Sequence, residues 1–124
     1  MERKIKIKLN KLEVVAELND SRIARLIWES LPIKASIEKW GDEIYFPIPV
    51  RAEIDNPQDV VEKGDLGYWP DGHCFCIFYG LTPISTKDQI KPASSVEIVG
   101  KISGDPEQLK KVGDRKPIIL ERAR

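Results

Sequence analysis

Between Gly64 and Gly80 the chain gathers five of its nine aromatic residues, both cysteines and its only histidine. The stretch reads as strand, turn, strand. Leu66 to Trp69 is the first arm. Pro70-Asp71-Gly72 is a turn by composition, since proline fixes its own φ and glycine accepts a positive one. His73 to Tyr79 is the second arm, dense in aromatic and apolar residues, and Gly80 ends it. The remaining elements are organised around this hairpin.

Those elements are mostly short strands. Lys4 to Asn10 alternates, with Ile5, Ile7 and Leu9 on one face and lysines on the other, a half-buried strand with a solvated side. Leu12 to Leu18 follows after Asn10-Lys11 as the other arm of a hairpin. Asn19-Asp20-Ser21 offers a helix N-cap, and Ile23, Ala24, Leu26, Ile27 and Leu31 fall at helical spacing until Pro32. Ile33 to Trp40 returns to alternation, Gly41-Asp42 is a turn, and Glu43 to Phe46 is a strand. Pro47 and Pro49 then push the chain towards an edge or loop. Residues 55–63 read as a connection with a short strand at Val60-Val61, and 81–95 as a loop. Val96 to Ile102 is a strong strand. Asp105 caps a short helix opened by Pro106, Gly113 ends it, and Ile118 to Leu120 is the last strand.

About seven or eight antiparallel strands in a chain of 124 residues fit one domain, residues 1–124, mainly β. The expected form is a closed antiparallel β-barrel of about eight strands, its ends capped by two helices at about residues 20–31 and 105–112. Formal net charge is zero, with 20 basic and 20 acidic side chains. That argues against nucleic acid or an anionic membrane as partner, since both reward a basic surplus. No apolar run approaches the roughly 20 residues of a membrane span, and Met-Glu-Arg-Lys is not followed by a signal-peptide core, so the expected location is the cytoplasm. Charged residues at 32%, with few Asn and Gln, lean towards a thermophile.

Cys74 and Cys76 stand at i and i+2, on one strand face, where they read as two small apolar thiols. Strand alternation sends His73 to the opposite face, and no second Cys or His cluster completes four ligands, so neither a metal nor another cofactor is expected. Gly-x-Ser-x-Gly, phosphate-loop and zinc-type His motifs are absent from the sequence.

The order hairpin, helix, strands, long loop, hairpin, strand, short helix, strand resembles cyclophilin. Gly64 to Trp69 stands where cyclophilins have Gly-x-Leu-Ser-Met-Ala. Gly72 to Ile77 stands where they have Gly-Ser-Gln-Phe-Phe-Ile, and Val96 to Ile102 is similar to their Val-Val-Phe-Gly-Lys-Val strand. Trp40 to Phe46 together with Gly64 to Pro70 more closely resembles a prokaryotic family of short cyclophilin-like proteins of uncharacterised activity. The resemblance implies a peptidyl-prolyl isomerase fold. It also implies an arginine that weakens amide resonance as the bond twists across a barrier of about 18–20 kcal/mol. The Phe-His-Arg segment carrying that arginine in the family does not occur here, and Arg51 is the basic residue nearest the equivalent stretch. Cys74 and Cys76 align where the family has Gln and Phe, and Trp69 where it has a small Ala.

Three functions follow as expectations. The first is a peptide or small molecule bound in the barrel-face groove without the isomerase machinery. Its candidate contacts are Glu43, Tyr45, Trp69, His73, Cys74 and Cys76, with Trp40 and Tyr68 as further aromatics. Within that set Tyr68 and Trp69 face opposite ways, so one of them faces the groove. Glu43 is either a solvent-facing strand residue or a carboxylate at the barrel mouth, and His73 either a turn histidine or an acid–base group. The second is an atypical isomerase using Arg51, and the third a partner subunit of a larger enzyme.

Overall fold

The computed structural model describes residues 3–123. In chain order the elements are β1 (Arg3–Leu9), β2 (Leu12–Leu18), α1 (Arg22–Ser30), β3 (Ile33–Ser36), β4 (Glu38–Trp40), β5 (Glu43–Pro47), β6 (Asp65–Trp69), β7 (Cys74–Phe78), β8 (Glu97–Ile102), a 3₁₀ helix (Pro106–Lys111) and β9 (Pro117–Arg122). The nine strands form one sheet in the order β3-β9-β1-β2-β8-β6-β7-β5-β4, and every pairing is antiparallel. The two outermost strands, β3 and β4, are separated in sequence only by Ile37, which is fully buried. One extended segment therefore pairs with β9 through its first half and with β5 through its second, which curls the sheet into a nearly closed barrel. Counting β3 and β4 as one bent strand recovers the eight expected.

Alternation sets the interior. Ile5, Ile7 and Leu9 of β1, Val14, Ala16 and Leu18 of β2, and Ile118 and Leu120 of β9 are buried in one cluster with Phe46, Leu66, Tyr68, Phe75, Ile77 and Tyr79. Helix α1 adds Ile23, Ala24 and Ile27 to it. The helix begins at Ser21, whose Oγ accepts from the Ala24 amide at 3.2 Å, an N-cap typically worth about 1 kcal/mol. The second predicted helix is a single 3₁₀ segment rather than an α-helix. Six residues between Pro106 and the extended cap Val112 are too few to repay α nucleation. Its Leu109 and the adjacent Val112 reach the same interior.

β6 and β7 are buried on both faces. Cys74, Cys76 and Phe78 form a second cluster on the outer face with Val61, Ile90 and Val96. The two long connections supply that cover. Gln58 and Val96 exchange backbone hydrogen bonds, and the Val61 amide donates to the Ile90 carbonyl at 2.9 Å. The expected strand at Val60-Val61 is thus reduced to one bridge at Val61. Pro47 ends β5 but does not make it an edge strand: β5 lies between β7 and β4, with Pro47 opposite Cys74 as the ladder runs out.

Candidate functional site

The register of the outer face decides which side chains meet. Residues directly opposite one another in an antiparallel pair share a face. Trp40 of β4 lies opposite Glu43 of β5, Tyr45 opposite Cys76 of β7, and Cys74 opposite Trp69 of β6. These residues therefore form a continuous strip across four strands. Above it passes the 92–96 segment, and together they enclose a cleft of about 270 Å³ lined by Trp40, Glu43, Tyr45, Trp69, Pro92, Ala93 and Val96.

Trp69 is held in place. Its indole Nε1 donates to Ser94 Oγ at 2.6 Å, and Ser94 Oγ donates to Asp71 Oδ2 at 2.8 Å, so strand, turn and covering loop are tied through one side chain. Gly72 lies against the indole, where a Cβ would stand 2.7 Å from Cζ3. The Tyr45 and Trp69 rings meet edge to face, centroids 6.4 Å apart, the arrangement aromatic quadrupoles favour. Tyr68, one residue before, goes the other way: its hydroxyl donates to the Val50 carbonyl at 2.7 Å and accepts from the Ala52 amide at 3.3 Å, on the interior side. Trp69 is thus the member of the pair that faces the groove.

Glu43 is the one acidic residue of the cleft, and it is only 6% exposed. The solvent-facing alternative does not hold, because the loop over β5 comes from residues fifty positions away and leaves no trace in local alternation. No described lysine or arginine pairs with Glu43. Burial pushes its carboxyl up to about 7, and a hydrogen bond from the Cys76 thiol pulls weakly in the opposite direction. Burial likewise raises Cys76, Cys74 and the Tyr45 phenol. The thiols are therefore buried and protonated, the opposite of what a nucleophile needs.

The remaining predicted residues separate from this group. Cys74 and Cys76 belong to the apolar layer beside and beneath the cleft rather than to its lining. His73 is not in the strand. Its φ of +53° is left-handed, so alternation does not apply to it, and its carbonyl accepts from the Ile48 amide at 2.9 Å. Arg51 is exposed on the segment after β5, whose neighbours Val50 and Ala52 pack on the interior cluster, and it does not line the cleft. Pro92 and Ala93 had no sequence signal beyond a loop composition. Among the described residues no group of three or more His, Cys, Asp or Glu stands close enough to hold a metal ion. No described helix is long and apolar enough to cross a membrane.

Comparison with known proteins places this geometry in context. Residues 3–121 match the family model described as cyclophilin-like. The chain is also similar to the hypothetical protein AF2241 from Archaeoglobus fulgidus, known from a solution structure. The two superpose with a TM-score of 0.82 at 40% sequence identity, over 98% of this chain and 95% of that one. A search of functionally curated proteins gave no match.

Proposed function

The chain belongs to the cyclophilin-like family, and from that premise we propose that it is a ligand-binding barrel, taking a peptide or small molecule in the outer-face cleft without arginine-assisted proline isomerisation. The observation that carries this reading is the composition of the cleft. Three half-buried aromatic residues and one buried carboxyl with no described cationic partner converge on a space of about 270 Å³. An apolar concavity with a few convergent polar groups and a perturbed titratable residue is the usual form of a binding site. Isomerisation of the cyclophilin kind uses an arginine at the twisting amide, and the cleft lining contains no lysine, arginine or histidine.

The test is a two-dimensional amide spectrum of labelled protein, titrated with a short Ala-Pro peptide and with small aromatic and amine fragments. Saturable shifts clustered at Tyr45, Trp69 and Cys76, with no cis–trans exchange cross-peaks, are expected. Uncatalysed exchange takes tens of seconds or longer, so sub-second exchange would replace this reading with an atypical isomerase. Shifts scattered away from the cleft, or none for any ligand class, would refute it.

A further inference from the structure

The chemistry of the cleft narrows the ligand class further, on the premise that the cleft binds a ligand. Glu43 comes from β5 with 6% of its surface exposed and lines the cavity, and its one side-chain partner there is a thiol, a weak donor. Trp40 stands opposite it in the register, Tyr45 follows two residues on along the same face, and Trp69 meets Tyr45 edge to face. An anionic ligand would be repelled by the carboxylate. A neutral apolar ligand would seal that group from water with no compensating charge, which is costly. A compact cation, held by the ring faces and balanced by the carboxylate, satisfies both halves of the lining at once. The cavity lies below the roughly 300–1,000 Å³ of pockets that hold drug-sized molecules, which suits a group the size of a side-chain head.

We propose that the cleft formed by Trp40, Tyr45, Trp69 and Glu43 binds an alkylated ammonium group, with the aromatic rings around the cation and Glu43 as its counter-ion. Cation binding requires Glu43 to be ionised, so affinity rises with pH through about 7. The titratable groups facing it are Cys76 and Cys74 on β7 and Tyr45 on its own strand, with Glu38 beyond Tyr45 on β4. Both thiols and the phenol are shifted upward, away from this range. Between pH 6 and pH 8 the ionised fraction of a group titrating near 7 grows about tenfold, and the affinity should follow it.

Choline and its uncharged carbon isostere 3,3-dimethylbutan-1-ol separate charge from shape. Both are titrated into the intact protein and followed by tryptophan fluorescence and amide shifts at pH 6 and pH 8, beside a short peptide carrying trimethyllysine. Choline is expected to bind at pH 8 about tenfold more tightly than at pH 6 and about tenfold more tightly than the isostere. Glu43→Gln should remove the pH difference and shrink the preference for choline over its isostere to what the rings alone supply. Trp40→Ala, at the half-buried rim, should weaken choline at least tenfold while the amide spectrum elsewhere stays folded. Tighter binding of the peptide than of choline would identify a protein side chain as the source of the cation, and the reverse a free amine. His73→Gln, off the cleft, should leave the pH dependence intact. Equal binding of choline and its isostere, or an unchanged choline affinity in Glu43→Gln, would overturn the ammonium assignment while leaving a ligand cleft. No saturable response to choline or to the peptide at millimolar concentration would overturn it as well, and silence from the neutral isostere and other fragments too would remove the cleft reading itself.

Discussion

Replacing Glu43 by Gln should make the protein more stable, and increasingly so as pH rises. The carboxyl titrates near 4.5 in an unfolded chain and near 7 in the native barrel. Between those values the native state holds a proton that the unfolded state has released. Stability contributed by this group is therefore fully present below about pH 4.5, falls as pH climbs to about 7, and then levels off. The full displacement corresponds to about 3 kcal/mol, of which about 2.5 kcal/mol falls between pH 5 and pH 8. Other groups, such as Glu107 and Glu121, whose ion pairs hold them below the usual carboxylate range, shape the absolute profile. They are common to both proteins and cancel in the difference. Gln keeps the shape of Glu and does not titrate. Denaturant unfolding followed by tryptophan fluorescence, at four pH values from 5 to 8, gives the two curves. The gap between Glu43→Gln and wild type should widen by about 2.5 kcal/mol across the range, or on the order of 10 °C in Tm for a domain of this size. Parallel curves would mean that water reaches the carboxyl freely, and the burial argument on which the proposed counter-ion role rests would fail.

Three further outcomes test the frame around the cleft. Tyr68→Phe leaves the Val50 carbonyl and Ala52 amide without their shared hydroxyl, so a loss of about 1–3 kcal/mol and faster amide exchange at Ala52 are expected; unchanged exchange there would mean that the 48–52 segment is held by other contacts. Gly100→Ala should cost about 1–3 kcal/mol in denaturant unfolding, because a Cβ there would collide with the backbone carbonyl of Glu17 across the β2–β8 pairing and backbone cannot step aside cheaply; a neutral substitution would show that the two strands can separate locally. Cys74 and Cys76, buried and shifted upward, should react with a disulfide reagent near neutral pH only as fast as the protein opens; immediate labelling of Cys74 would expose an access route through the 92–96 segment.

The parts of this architecture that were legible from sequence are those encoded within a few residues. The alternation of Ile5, Ile7 and Leu9 against lysines fixed the face of β1, and the run Asn19-Asp20-Ser21 and Asp105 marked the starts of the two helices, Ser21 proving to be the cap within that run. What alternation cannot express is which other segment covers a face. Glu43 occupies a position that would be solvated in an isolated hairpin, yet in the barrel it is a buried acid lining a cleft whose other wall comes from the distant 92–96 segment. Alternation likewise separated Tyr68 from Trp69 but could not say which one turned inward; the Val50 carbonyl decides that. His73 went astray for a different reason. One left-handed residue shifts the strand start to Cys74, and although histidine is among the residues that adopt this conformation more often than most, its presence alone is too weak a signal to place the shift.

Many small β domains recruit a partner by offering the backbone of an outermost strand, to which an incoming extended segment adds as one more rung. Here that option is nearly closed. The strands that would serve, β3 and β4, are four and three residues long, and they are the two halves of a single segment already committed on opposite sides to β9 and β5. The Ile37 amide donates to the Lys116 carbonyl and the Lys39 amide to the Asp114 carboxylate, which occupies donors that a visiting strand would need. On the ligand-cleft reading proposed above, recognition would thereby shift from main chain to side chain, and selectivity would become a matter of what Glu43 and the three rings around it accept.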